Sequence, residues 1–263
     1  MQRLPVSDGV HLAVADEGPR DAPVVLFGHS IACNLNLWDD QAAAVIAAGW
    51  RAVRYDARGH GQSDAPAGDY ELARLGRDAL DILDTLDIAR VQLCGLSLGG
   101  TLGMWLAANA PERLTGLVLA DTAARLGTPE IWRSRAEGAM TGGMESIADM
   151  SMTRFFSDAF RAARPDVVAR FRQGFVDTPA HGYAGCAAVL RDAELEGGLA
   201  GIDLPTLVIG GVHDFPTPPK DAEHLAANIP GASLVLLDTG HLSNIEDPEG
   251  FNAALLRHLR ESS

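Results

Sequence analysis

Short apolar runs rich in β-branched residues recur along the chain, at 24–27, 51–55, 91–94, 116–120, 206–209 and 233–237. Their length and composition are those of buried strands. Between them lie longer stretches whose apolar positions fall three or four apart, near 72–86, 98–109, 219–228 and 248–259, and these predict helices. Strands alternating with helices imply a mostly parallel central sheet with helices on both faces. The segment Val10–Val14 is expected to belong to an N-terminal hairpin. The rhythm breaks between 123 and 198, where no strand pattern occurs and four helices are expected, near 128–139, 143–157, 164–176 and 179–193. The reading is therefore an α/β core, residues 1–122 and 199–263, with residues 123–198 inserted as a helical lid.

Composition narrows the classes. With 263 residues, 47% of them apolar and 21% charged, the chain can bury a large core and is not of disordered type. No apolar run approaches the ~18 residues of a membrane span, and the start, Met1 to Asp8, lacks the apolar stretch of a signal peptide. A soluble cytoplasmic protein is expected. The net charge of −14 repels phosphate backbones and anionic lipid heads, so neither nucleic acid nor membrane is an expected partner. The sequence leaves the oligomeric state open, a homo-oligomer included. Cys33, Cys94 and Cys186 are odd in number and widely spaced, which suggests neither a metal site nor a disulfide framework. The charge is uneven. The inserted stretch holds nine arginines against ten acids, so most of the negative charge lies in the core.

One motif carries chemistry. Gly95-Leu96-Ser97-Leu98-Gly99 follows the strand at 91–94 and opens the helix at 98, the context that a nucleophile elbow requires. Small residues on either side of the serine let backbones approach in a tight strand-to-helix turn. The hydroxyl then stands at a helix N-terminus, where free N–H groups favour developing negative charge. A serine needs a base. Two further residues complete the set: Asp214, in the loop after strand 206–209, and His241, in the loop after strand 233–237. Both follow strand ends, where sites gather in open α/β sheets. His241 would take the Ser97 proton, and Asp214 would fix its tautomer. Asp121, after strand 116–120, is the rival acid, and His213 and His224 are rival bases lacking the post-strand Gly-His setting. The oxyanion donors are expected to be the backbone N–H groups of Leu98 and Ile31. His29 and His60 are read as supports, and Cys94 as core.

These residues resemble the α/β-hydrolase superfamily over essentially the whole chain. The segments Arg54 to Gly61, Pro129 to Trp132, His181 to Ala188, Thr217 to Pro219 and Gly240 to Glu246 look like the 3-oxoadipate enol-lactonases. The resemblance implies an α/β-hydrolase fold. It implies a serine hydrolase that opens an unsaturated five-membered lactone bearing an acetate arm, in the β-ketoadipate route of aromatic catabolism, without metal or organic cofactor. It also implies a small anionic lactone as partner, with Arg135 meeting its carboxylate and Trp132 covering its ring; Arg133 is the rival cation. Three stretches depart from the family pattern: His29-Ser30-Ile31-Ala32 in the oxyanion loop, Cys186-Ala187 in the lid, and Phe215-Pro216 after Asp214. The alternatives are a general carboxylesterase, a hydrolase of another lactone or of a C–C bond, and a ligand receptor on a hydrolase scaffold. A serine at 97 argues against the superfamily branches whose elbow nucleophile is aspartate.

Overall fold

The structure, a computed structural model, describes residues 1–262. Eight strands form one sheet: β1 (Gln2–Pro5), β2 (His11–Glu17), β3 (Val24–Gly28), β4 (Arg51–Tyr55), β5 (Val91–Leu96), β6 (Leu114–Ala120), β7 (Thr206–Gly211) and β8 (Ser233–Leu237). Their spatial order is β1-β2-β4-β3-β5-β6-β7-β8. The β1–β2 and β2–β4 pairs are antiparallel and all others are parallel. The N-terminal hairpin turns at Gly9, whose φ of +87° needs no Cβ to avoid. Strands β3 to β6 are buried on both faces; Arg51 and Arg54 of β4 are buried through ion pairs with Asp16, Glu17 and Asp39. The edge strand β8 is half-exposed, with Leu234 and Leu236 turned to solvent.

The helices of the core are α1 (Asp39–Ala47), α2 (Leu72–Thr85), α3 (Leu98–Asn109), α9 (Pro219–Asn228), the short α10 (Ser243–Glu246) and α11 (Pro248–Glu261). Helix α3 is apolar nearly all round and lies deepest, packed on β3, β5 and β6. Between β6 and β7 the chain forms five helices: α4 (Pro129–Gly142), α5 (Glu145–Phe155), α6 (Asp158–Ala163), α7 (Pro165–Val176) and α8 (Ala180–Asp192). Four match the expected helices to within three residues, and α6 is additional. It is capped by Ser157, whose hydroxyl accepts from the Phe160 N–H at 3.1 Å.

The inserted helices are fastened to the core at two places. Leu242 N–H donates to Phe155 O at 3.0 Å, and the Glu246 carboxylate accepts from both Ser157 N–H and Ser157 Oγ at 2.7 Å. On the other side, α8 lies directly against the loop after β4. A Cβ on Gly182 would stand 2.3 Å from Gly59 O, so only glycine permits the approach. Among the described residues no helix is long and apolar enough to cross a membrane, and no cluster of three or more His, Cys, Asp or Glu could hold a metal. The three cysteines are free and buried.

Candidate active site

Ser97 links β5 to α3 with φ 57° and ψ −111°. A non-glycine residue at positive φ costs about 1–3 kcal/mol, and the surroundings enforce it. Ser97 N–H donates to Ala120 O at 2.9 Å, and Ser97 O accepts from Thr122 Oγ1 at 2.9 Å. The glycines do what the turn demands. A Cβ on Gly95 would fall 2.1 Å from Gly99 O, and one on Gly99 would fall 2.0 Å from Gly28 O.

Asp214 and His241 arrive from the loops after β7 and β8. His241 Nδ1 lies 2.8 Å from Asp214 Oδ2, and both side chains are buried. With Nδ1–H donated to the carboxylate, Nε2 is left as the basic nitrogen. Thr217 completes the acid's shell: its N–H donates to Asp214 Oδ1 at 2.9 Å and its Oγ1–H to Oδ2 at 2.7 Å. Phe155, from α5, stacks on the imidazole with ring centroids 6.0 Å apart and planes 26° from parallel. Ser97 and His241 line one cavity of about 240 Å³. The hydrogen bond between them is not closed; in sites of this type it commonly tightens only in the reacting complex.

The rival acid takes another place. Asp121, itself at φ 45°, accepts from Gly211 N–H at 3.1 Å and from Ser243 N–H at 3.2 Å, with Ser243 Oγ also bonded to it. It thus ties the end of β7 to the residue two after His241, and has no hydrogen bond to the imidazole. Burial pushes its carboxyl well above the usual carboxylate range, and the nearby charge of Asp214 pushes the same way. Of the rival bases, His213 pairs with Asp238 and His224 with Glu196, both on the exterior.

Ile31 borders the cavity beside Ser97. Among the described residues, neither Ile31 N–H nor Leu98 N–H is taken by a protein acceptor, which leaves both free to donate. The loop carrying Ile31 is held by the two histidines. Ala32, at φ 57°, donates its N–H to His60 Nε2 at 2.9 Å, and His29 Nε2 accepts from Ala57 N–H at 2.9 Å. Both imidazoles must therefore be neutral. Burial draws both below the usual histidine range, His60 to about 3, where His29 adds to the effect.

The inserted helices supply the cavity's other wall. Trp132 donates Nε1–H to Leu126 O at 2.5 Å and lies against the Arg135 guanidinium, 5.3 Å from ring centroid to Cζ. Arg135 is buried, with Nε–H on Tyr183 Oη and Nη2–H on Ser151 Oγ, each at 2.9 Å. No carboxylate of the described residues lies within 4.0 Å of it. Arg133 points outward, 60% exposed and paired with Glu130. The sequence reading missed Arg154, Phe155, Tyr183 and Ser151 as site residues. Tyr183 stands in a stretch that carries the resemblance, but nothing in helix periodicity singles out the others. Arg154 and Phe215 both border the cavity, with the guanidinium 5.1 Å from the ring centroid.

Comparison with known proteins agrees with this architecture. Residues 23–248 match the sequence model of the alpha/beta hydrolase fold family. The chain is 36% identical over 246 residues to 3-oxoadipate enol-lactonase 2 of Acinetobacter baylyi, covering 94% of this chain and 92% of that one. It is 37% identical to 3-oxoadipate enol-lactonase 1 of the same organism, covering 92% and 91%. Among solved structures, the enol-lactonase from Burkholderia xenovorans LB400 superposes with a TM-score of 0.96 at 39% identity, over 98% of this chain and all of that one. Matched over most of its length by the family and by named hydrolases within it, the chain belongs to the α/β-hydrolase family and is a hydrolase.

Proposed function

We propose that the protein is a serine hydrolase that opens 3-oxoadipate enol-lactone to 3-oxoadipate, within the β-ketoadipate route of aromatic catabolism. Ser97 Oγ attacks the lactone carbonyl as His241 Nε2 takes its proton. Asp214 holds the imidazole in the reactive tautomer and stabilises the imidazolium. The N–H groups of Ile31 and Leu98 receive the tetrahedral oxyanion. The ring C–O bond then breaks, and the departing enolate takes the proton held on His241 and becomes a ketone, which leaves the imidazole neutral again. Water, deprotonated by His241, attacks the acyl-enzyme; the ester bond to Ser97 breaks, and Ser97 recovers its proton. An enolate is a better leaving group than an alkoxide, so the first step asks less of the site than an alkyl ester would.

The observation that carries the substrate class is Arg135. In a chain of net charge −14, a buried guanidinium with no acid partner among the described residues borders the same cavity as Ser97 and His241. A buried unpaired charge is costly unless something compensates it, and a substrate carboxylate would do so. Trp132 Nε1 and two nitrogens of Arg135 are already bonded, so the wall is fixed before substrate arrives. The similarity to enol-lactonases supports the same reading. The test is steady-state hydrolysis of the enol-lactone by Arg135→Met. KM is expected to rise at least tenfold with a smaller change in kcat, the sign of lost binding. An unchanged KM would remove Arg135 from substrate recognition.

A further inference from the structure

The geometry points to Arg154 as a specificity-determining residue, a second cation beside Arg135 that selects short esters and lactones bearing a carboxylate. This rests on the proposed reading that the substrate is anionic. Six of the nine arginines in the inserted stretch are neutralised by carboxylates: Arg125, Arg133, Arg161, Arg164, Arg172 and Arg191. Arg154 is not, and it borders the cavity that holds Ser97 and His241. Partial burial pulls its pKa below the ordinary guanidinium value, and the positive charge of Arg135 pulls it further. Two like charges thus share one cavity without a counter-ion among the described residues, and an anion between them relieves both the desolvation and the repulsion.

The two arginines are held differently. Arg135 is fixed on Tyr183 and Ser151, whereas among the described residues Arg154 is held only by the face of Phe215. Phe215 is 67% exposed and sits next to Asp214, on a core loop. A cation–π contact at an exposed ring is weaker than charge-assisted hydrogen bonds to a carboxylate, so Arg154 can give up the ring for the ligand at little cost. The site then has one rigid and one adaptable cation. The adaptable one stands on α5, the helix that also backs His241 through Phe155.

The test compares two esters of equal chain length, mono(4-nitrophenyl) adipate and 4-nitrophenyl hexanoate, in wild type, Arg154→Met, Arg154→Lys and Arg135→Met. The readout is the ratio of their kcat/KM values. Wild type is expected to prefer the adipate ester. Arg154→Met should cut that preference about tenfold or more, through KM, and Arg154→Lys should restore part of it. Thermal midpoints of all variants separate binding effects from misfolding. If Arg154→Met keeps the wild-type preference while Arg135→Met loses it, Arg154 plays no part and the anionic-substrate reading stands. If wild type shows no preference for the adipate ester, that reading falls, and this inference with it.

Discussion

The strained φ of 57° at Ser97 and the 2.8 Å contact between His241 and Asp214 put the account's weight on three side chains. Under the proposed mechanism, Ser97→Ala or His241→Ala is expected to lower kcat roughly 10⁴–10⁶-fold with unchanged circular dichroism, the cost seen in serine triads; near-normal turnover by either would sink the mechanism. Asp214→Asn should cost about 10⁴-fold, because the amide favours the wrong tautomer. Asp121→Asn should act on stability instead. Its NH₂ would face donors where a carboxyl now accepts from Gly211 and Ser243, a loss of about 1–3 kcal/mol by urea titration. If Asp121→Asn is the crippled variant and Asp214→Asn is not, the acid has been misassigned. His60 gives a pH prediction. Its pKa is drawn from about 6.5 in the unfolded chain to about 3 in the folded protein. Below pH 6.5 the unfolded chain therefore binds a proton that the folded one refuses, so this contribution to stability is present above that pH and is lost as pH falls towards 3. The slope is about 1.4 kcal/mol per pH unit. His60→Gln should lose about 2 kcal/mol less stability than wild type between pH 7 and pH 5; an equal loss would contradict a buried neutral imidazole at that position.

Backbone contact between elements explains which glycines matter. Helix α8 crosses the loop after β4 at Gly59 and Gly182, and α3 crosses β3 at Gly28 and Gly99. Gly182→Ala must push α8 away from that loop, and with it Tyr183, which holds Arg135. The expected result is a loss of about 1–3 kcal/mol in thermal unfolding together with a raised KM for the lactone; unchanged values for both would mean that the crossing is not rigid. The central strands were legible as short apolar runs set between turn residues, and most long helices by apolar positions three or four apart. Helix α1 was not read. Its run Ala42-Ala43-Ala44-Val45-Ile46-Ala47 is apolar on every side, and the core position before it is a buried Gln41, bonded to Asn244 and Asn252. Helix α6 escaped for a different reason: six residues with none buried leave no periodicity to find.

At the scale of the molecule, the parallel strands set Ser97, Asp214 and His241 after β5, β7 and β8, at the carboxyl ends of the strands, and the insertion after β6 roofs them. This much could be read from motif and chain order, because each of the three follows a strand end and topology does the rest. What surrounds them could not. Thr217 stands only three residues from Asp214, in a loop with no periodicity to mark the contact. Phe155 behind His241 and Arg154 in the cavity wall meet the site only through packing between segments distant in sequence. The same holds for the pairing of charges, which among the described residues left Arg135 without an acid while Arg133, two residues away, found Glu130. Charge balance alone pointed to the inserted stretch and could not tell these arginines apart. The central claim is that this roof reads an anionic enol-lactone. The measurement that tests it most directly is kcat/KM for freshly generated 3-oxoadipate enol-lactone, followed by loss of ultraviolet absorbance, against that for a simple aryl acetate, with Ser97→Ala as control. The account predicts a preference for the lactone of about a hundredfold, or about 2.7 kcal/mol at the transition state. Equal or faster cleavage of the acetate, abolished in Ser97→Ala, would leave a serine esterase and contradict the lactonase assignment.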